Sequence, residues 1–204
     1  MATVKVFGRK TRTPDEKKNY KNADALEKVV HYIFRENMKD EEDLIPELSG
    51  GYGVDLSSTR AIIDDMQMIK AIYGKTDGRQ LRHFSVNLSV DETAQISDLK
   101  EFAYEVCGYY GKEYQTVFAG HRKIEDGRER IHFHVCCNSV SYETGEKMSM
   151  RKGSLQEFKN FVNAKVQEYG VMEEAEMQIA AYYGRFCGAK RPQCEAERPG
   201  FLLI

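Results

Sequence analysis

The sequence contains no tryptophan, only four prolines, and no apolar run approaching the roughly 20 residues a membrane-spanning helix needs. No transmembrane segment is therefore expected. The opening residues, MATVKVFGRK, lack the charged-then-apolar order of a secretory signal. Cysteines number five, an odd count; no CxxC pair occurs, and Cys136 and Cys137 are adjacent. That pattern argues against a disulfide framework and predicts a reducing, cytoplasmic setting. Neither sign of charge dominates: 30 Lys and Arg against 32 Asp and Glu give −2, which argues against a generic polyanion binder but leaves room for a local basic groove. There is no internal repeat and no low-complexity tract.

What is present organises itself around residues 114–141, which hold three of the five histidines. Residues 130–138 alternate as a strand, with Ile131, Phe133 and Val135 on one face and His132 and His134 on the other. Residues 115–121 read as a second strand. Between them lies Asp126-Gly127, a dipeptide suited to a two-residue hairpin turn in which both residues take positive φ. Folding about that turn sets Glu125 opposite Arg128 and His121 opposite His132. Directly paired residues share a face, so His121, His132 and His134 converge. Three neutral imidazoles on rigid strands form a candidate divalent-metal site with open positions. The bland alternative is a set of surface or hydrogen-bonded histidines, and any longer turn would change the register.

With 204 residues the chain suits one domain, with a core of real size. Its mixture of helix formers and β-branched residues suggests an α/β or α+β class. Val4 and Val6 mark a first strand. Arg9, Lys10 and neighbouring cations read singly as solvated charges and together as phosphate contacts. Residues 22–38 predict a helix with Leu26, Val29, Val30 and Ile33 as its apolar stripe; on residue physics alone Tyr32 beside it is a half-buried packing tyrosine. Residues 39–53, with Pro46 and the run SGGYG, read as a loop. Ser57 or Ser58 opens a second helix with Ile62, Ile63, Met66, Ile69 and Ile72 inward. Residues 82–89 predict a strand with Phe84, Val86 and Leu88 on one face and His83, Ser85 and Asn87 on the other; His83 is read as a hydrogen-bonding neighbour of the metal face. A third helix is predicted over 91–110 and a short return strand over 147–151, bringing Arg151 and Lys152 near the metal-bearing strand. A fourth helix over 154–169 carries Ser154 and Glu157 in capping-box spacing and ends at Gly170. A last helix is predicted over 173–183, and residues 185–204 read as a loosely ordered tail. No HExxH and no carboxylate beside the histidines appears, so a metallopeptidase is not expected. A phosphodiester clamp is the more attractive use of the cluster.

Three segments in order resemble the relaxase and mobilisation nucleases of the HUH endonuclease superfamily. ALEKVVHYIFRENMK is similar to the N-terminal motif whose helix carries the nucleophile, here Tyr32. GRQLRHFSVNLSVDE is similar to a central strand motif, with His83 at a histidine common there. TVFAGHRKIEDGRERIHFHVCCNSVSYETGEKM is similar to the metal motif, with His121, His132, His134 and Asn138 at its positions. The likeness covers roughly residues 4–171. It implies a relaxase domain over 1–184, with a central, mostly antiparallel sheet, helices packed on one face and a ferredoxin-like arrangement. It also implies nicking and rejoining of single-stranded DNA at an origin of transfer, for mobilisation of a plasmid or transposon. Tyr32 would attack as phenolate beside a Mg²⁺ or Mn²⁺ ion held by the triad, giving a 5′-phosphotyrosine. Arg9, Lys10, Arg82, Arg151 and Lys152 are the candidate DNA contacts, and accessory mobilisation proteins the candidate partners.

Departures from the family pattern lie close to the centre. Lys123 stands where many members carry an acidic residue two places after the first histidine. The following loop is long, and the segment near Gly51 lacks a cysteine or asparagine often found there. Two rival readings follow. One is a rolling-circle initiator or transposase of the HUH class using Tyr182 or Tyr183; the other is a non-catalytic DNA-binding module that keeps the fold.

Overall fold

The computed structural model describes residues 2–7, 20–36 and 43–186, with 171–186 described as backbone only. Its elements in order are β1 (Thr3–Val6), α1 (Ala25–Ile33), β2 (Leu44–Tyr52), α2 (Thr59–Ile72), β3 (Leu81–Asn87), α3 (Val90–Gln95), α4 (Leu99–Gly111), β4 (Tyr114–Glu125), β5 (Arg128–Ser141) and α5 (Ser154–Phe186). The strands form one sheet in the order β1-β3-β5-β4-β2, with every neighbouring pair antiparallel. This is an α+β architecture.

The middle strand explains the layering. β5 lies between β3 and β4, and from Val135 to Ser141 every residue is buried. A strand covered on both faces has no solvent side and does not alternate in polarity, hence the compact run CCNSVS at its end. On one face Phe84, Phe118, Phe133 and Val135 pack with Phe102 of α4 and Phe158 of α5. On the other, Leu81, Val117, Ala119 and Cys136 receive Leu26, Val30 and Ile33 of α1 and Ile62 and Met66 of α2. The helical layer expected on one face is therefore α3–α5, and α1 with α2 forms a second layer on the histidine face. The physical reason is that the histidines occupy only part of this face. Past the histidines it continues as Cys136, Val117 and Ala119, an apolar floor that needs covering.

Several local expectations are corrected. Residues 44–52, read as a loop, form an edge strand paired with β4. Pro46 falls within the register shift between Ile45 and Ser49, where no ladder donor is required. Gly50 marks close packing: a Cβ there would sit 2.5 Å from Tyr104 Oη. The helix expected over 91–110 is two. Ser89 and Glu92 form a reciprocal capping box at the start of α3, Ile96 is extended, and Asp98 accepts the Glu101 N–H at 2.8 Å to begin α4. The expected return strand reduces to one bridge, Val140 to Lys147. Gly170 lies inside α5, which runs on through the stretch read as a separate helix. Ile72, expected inward, is 66% exposed at the end of α2. The tail beyond Phe186 lies outside the described residues.

Candidate active site

The hairpin takes the expected form. Asp126 has φ 52° and Gly127 φ 72°, and the ladder pairs Glu125 with Arg128 and His121 with His132. Candidate ligand atoms of His121, His132 and His134 lie within 4.8 Å of one another. His121 and His134 are buried; His132 is partly exposed.

Hydrogen bonds at the backs of two of the rings, His121 and His134, determine which nitrogen those residues present. His121 Nε2–H donates to the Ile33 carbonyl at 2.7 Å. That oxygen is in the last turn of α1 and has no partner within the helix. The tautomer leaves His121 Nδ1 as a lone pair, and this atom is buried without a hydrogen-bond partner. Leaving it unpaired costs about 1–3 kcal/mol, and a divalent cation satisfies it, so the residues fit the metal expected here. His134 Nδ1 is 2.9 Å from His83 Nε2, and His83 Nδ1 is 3.1 Å from Tyr20 Oη. With His134 ligating through Nε2, its Nδ1–H donates to His83, whose Nδ1–H donates to Tyr20. Such backing bonds fix the orientation and tautomer of a ligating imidazole. Phe7 stacks on His83 with ring centroids 4.4 Å apart, closing the outer side of the chain.

Electrostatics keep the imidazoles neutral, as ligation requires. Burial, reinforced by the other histidines, pushes His83 down from 6.5 to about 3, His132 to about 4 and His134 to about 2; His121 is lowered too, chiefly by burial. The Arg35 charge adds to the lowering of His121, His132 and His134, while Asp43, just ahead of β2, opposes it at His121 and His132. A stability prediction follows with a definite sign. Below 6.5 the unfolded chain binds protons that the folded histidines refuse, so stability falls on acidification. Between pH 6.5 and about 4, fully buried His83 and His134 should each cost up to about 1.4 kcal/mol per pH unit. Urea titrations of metal-free protein across that range measure this, and a flat profile would contradict the buried neutral cluster.

Tyr32 reaches the same place from α1. Val29, Val30 and Ile33 bury the neighbouring helix face, which leaves Tyr32 at the boundary with the histidines. Its ring is edge-on to His134 at 5.2 Å between centroids and lies 6.0 Å from His83. The half-buried packing role and the position beside the triad thus coexist.

The other candidates are dispersed. Asn138 shares the histidine face of β5, but its amide donates to the Met66 carbonyl at 2.9 Å and Gln115 Oε1 at 2.8 Å, tying α2 and β4 to the central strand. Arg82 pairs with Cys137, so strand alternation puts it on the face opposite the histidines, where it donates to the Met148 carbonyl at 3.3 Å. Arg151 and Lys152 are exposed in the turn before α5. Arg9 and Lys10 lie outside the described residues, and Tyr182 and Tyr183 lie in the backbone-only part of α5. Lys123 is exposed on the histidine face opposite Arg130. Sequence reasoning missed Tyr20, Arg35 and Asp43. Only Arg35 had a local cue, its position one helical turn after Tyr32.

No helix among the described residues is long and apolar enough to cross a membrane. Residues 32–171 match the family described as relaxase, MobA/VirD2-like, nuclease domain. That span opens on Tyr32 and includes the whole triad. No curated protein matches the chain at a significant level. With well over half of its 204 residues matched, the chain belongs to the MobA/VirD2-like relaxase family of nuclease domains.

Proposed function

We propose that this relaxase domain nicks and rejoins single-stranded DNA at a specific site, an origin of transfer, using Tyr32 as nucleophile. The family membership implies DNA nicking in mobilisation; the observation that supports the finer reading is Tyr32 edge-on to His134 within a three-histidine cluster. His121, His132 and His134 would hold a divalent ion, Mg²⁺ or Mn²⁺, which when bound supplies charge neutralisation at the scissile phosphate. Imidazole donors suit the transition metal better than the harder ion.

The chain's own groups do the remainder. The Tyr32 oxygen attacks phosphorus, its bond to phosphorus forms as the bond from phosphorus to the 3′ oxygen breaks, and the phenol proton is replaced by one gained at the 3′ oxygen. The products are a 5′-phosphotyrosine and a free 3′-hydroxyl. One phosphodiester is exchanged for another, so the reverse step reseals the strand. The Ile33 carbonyl holds the His121 ring, and the His83–Tyr20 chain holds His134. Arg151 and Lys152, with Arg9 and Lys10, are proposed to contact phosphates away from the centre. Accessory mobilisation proteins are proposed partners.

Incubation with a pool of randomised single-stranded oligonucleotides and Mn²⁺ tests the reading. An SDS-stable adduct is expected, sensitive to EDTA, with the modified peptide containing Tyr32. Adducts on the peptide of Tyr182 or Tyr183 would transfer the role to α5, and binding with no adduct would leave a non-catalytic module.

A further inference from the structure

Arg35 is poorly explained by folding alone. It follows the helix cap Phe34 with φ 54°. The Arg35 N–H donates to the Tyr32 carbonyl at 3.3 Å and the Glu36 N–H to the His31 carbonyl at 3.0 Å. Those paired bonds define a helix terminus that ordinarily has glycine at the left-handed residue, so an arginine there carries backbone strain. Its side chain is equally unusual. Arg35 is 8% exposed, its guanidinium carbon lies 5.0 Å from the Tyr32 ring centroid, and its Nε is buried with no hydrogen-bond partner. Among the described residues no carboxylate is ion-paired with it. A buried cation lacking a paired anion is costly, and strain tends to persist where function requires it.

We infer that Arg35 is a phosphate-binding residue of the catalytic centre, taking the non-bridging oxygens of the scissile phosphate from the α1 side. This rests on the reading of Tyr32 as nucleophile. A guanidinium offers two parallel donors that match two phosphate oxygens. Charge on those oxygens shifts as the phosphoryl group is transferred, so a donor fixed in advance acts more on the transition state than on the bound strand. The left-handed backbone at residue 35 then has a purpose, because it turns the chain at the end of α1 while the side chain stays over Tyr32. Arg35 places a cation over Tyr32 although the chain as a whole is slightly acidic.

The test uses Arg35→Gly, which suits the backbone and should keep the thermal midpoint at or above that of the parent. Its adduct-forming rate at saturating oligonucleotide is expected to fall about 10²–10³-fold, with KM changing little. Arg35→Lys, which keeps the charge but not the paired donors, should be intermediate. A strand bearing a methylphosphonate at the scissile position supplies the readout a packing role would not move. The parent should lose rate on it, and Arg35→Gly should lose much less than the parent does. A parent that forms adduct together with an Arg35→Gly that nicks within threefold of it, or whose methylphosphonate penalty equals the parent's, overturns the inference alone. Absence of any Tyr32 adduct from the parent overturns the underlying reading and the inference together.

Discussion

Tyr32→Phe is expected to abolish the SDS-stable protein–DNA adduct while leaving the fold and metal binding as they were. The substitution removes a single oxygen. The ring itself makes the contacts with His134 and Arg35, and phenylalanine keeps them. Stability should therefore change by no more than about 0.5 kcal/mol, and the metal-induced rise in thermal midpoint should persist. Loss of the attacking atom leaves no route to the covalent intermediate, so the rate should fall at least about 10³-fold, to background. Tyr182→Phe and Tyr183→Phe should form adduct at the parent rate. The opposite pattern would mean that the nucleophile follows the HxH pair in sequence, as in the initiator and transposase branch.

His121→Ala should have the second large effect, through two losses at once. One is a proposed metal ligand whose Nδ1 has no hydrogen-bond partner; the other is the donor that satisfies the Ile33 carbonyl. Calorimetry with Mn²⁺ should find binding weakened beyond measurement, and adduct formation should drop at least about 10³-fold. Metal-free protein should also lose about 1–3 kcal/mol from the unpaired carbonyl alone. A variant that retained full metal affinity would remove His121 from the site. Losing affinity without losing stability would mean that the bond to α1 contributes nothing net.

The hairpin was legible because two independent local rules agreed on it. The period of two chose the faces, and Asp126-Gly127 chose the turn, so His121 met His132 as expected. The stripe of α1 was legible for the same reason, and with it the approach of Tyr32 to the sheet. β2 was not legible: Pro46 and Gly50 look like loop chemistry, but one occupies a bulge and the other makes room for Tyr104. Sequence alone does not distinguish a glycine required for conformation from one required for space. The break between α3 and α4 did have a cue, Asp98, a residue type suited to an N-cap, whose carboxylate accepts the Glu101 N–H. Tyr20 had none, since its bond to His83 joins residues 63 positions apart. Arg82, named as a candidate DNA contact, falls on the face opposite His83, as the alternation of its strand requires.

Because β4 and β5 close through two residues, the three imidazoles become neighbours after a very short chain excursion, the kind of hairpin closure that takes about 1–10 μs. Tyr32 joins them on a different schedule. The bond that seats the end of its helix, from His121 to Ile33, bridges 88 positions in sequence, and such distant contacts are entropically expensive and slow to form. Contact order thus predicts that the imidazole cluster forms first and that the helix bearing Tyr32 docks on it later. On the proposed reading, a chain caught midway would hold the candidate ion-binding residues without the proposed nucleophile, so strand cleavage would wait until folding is complete.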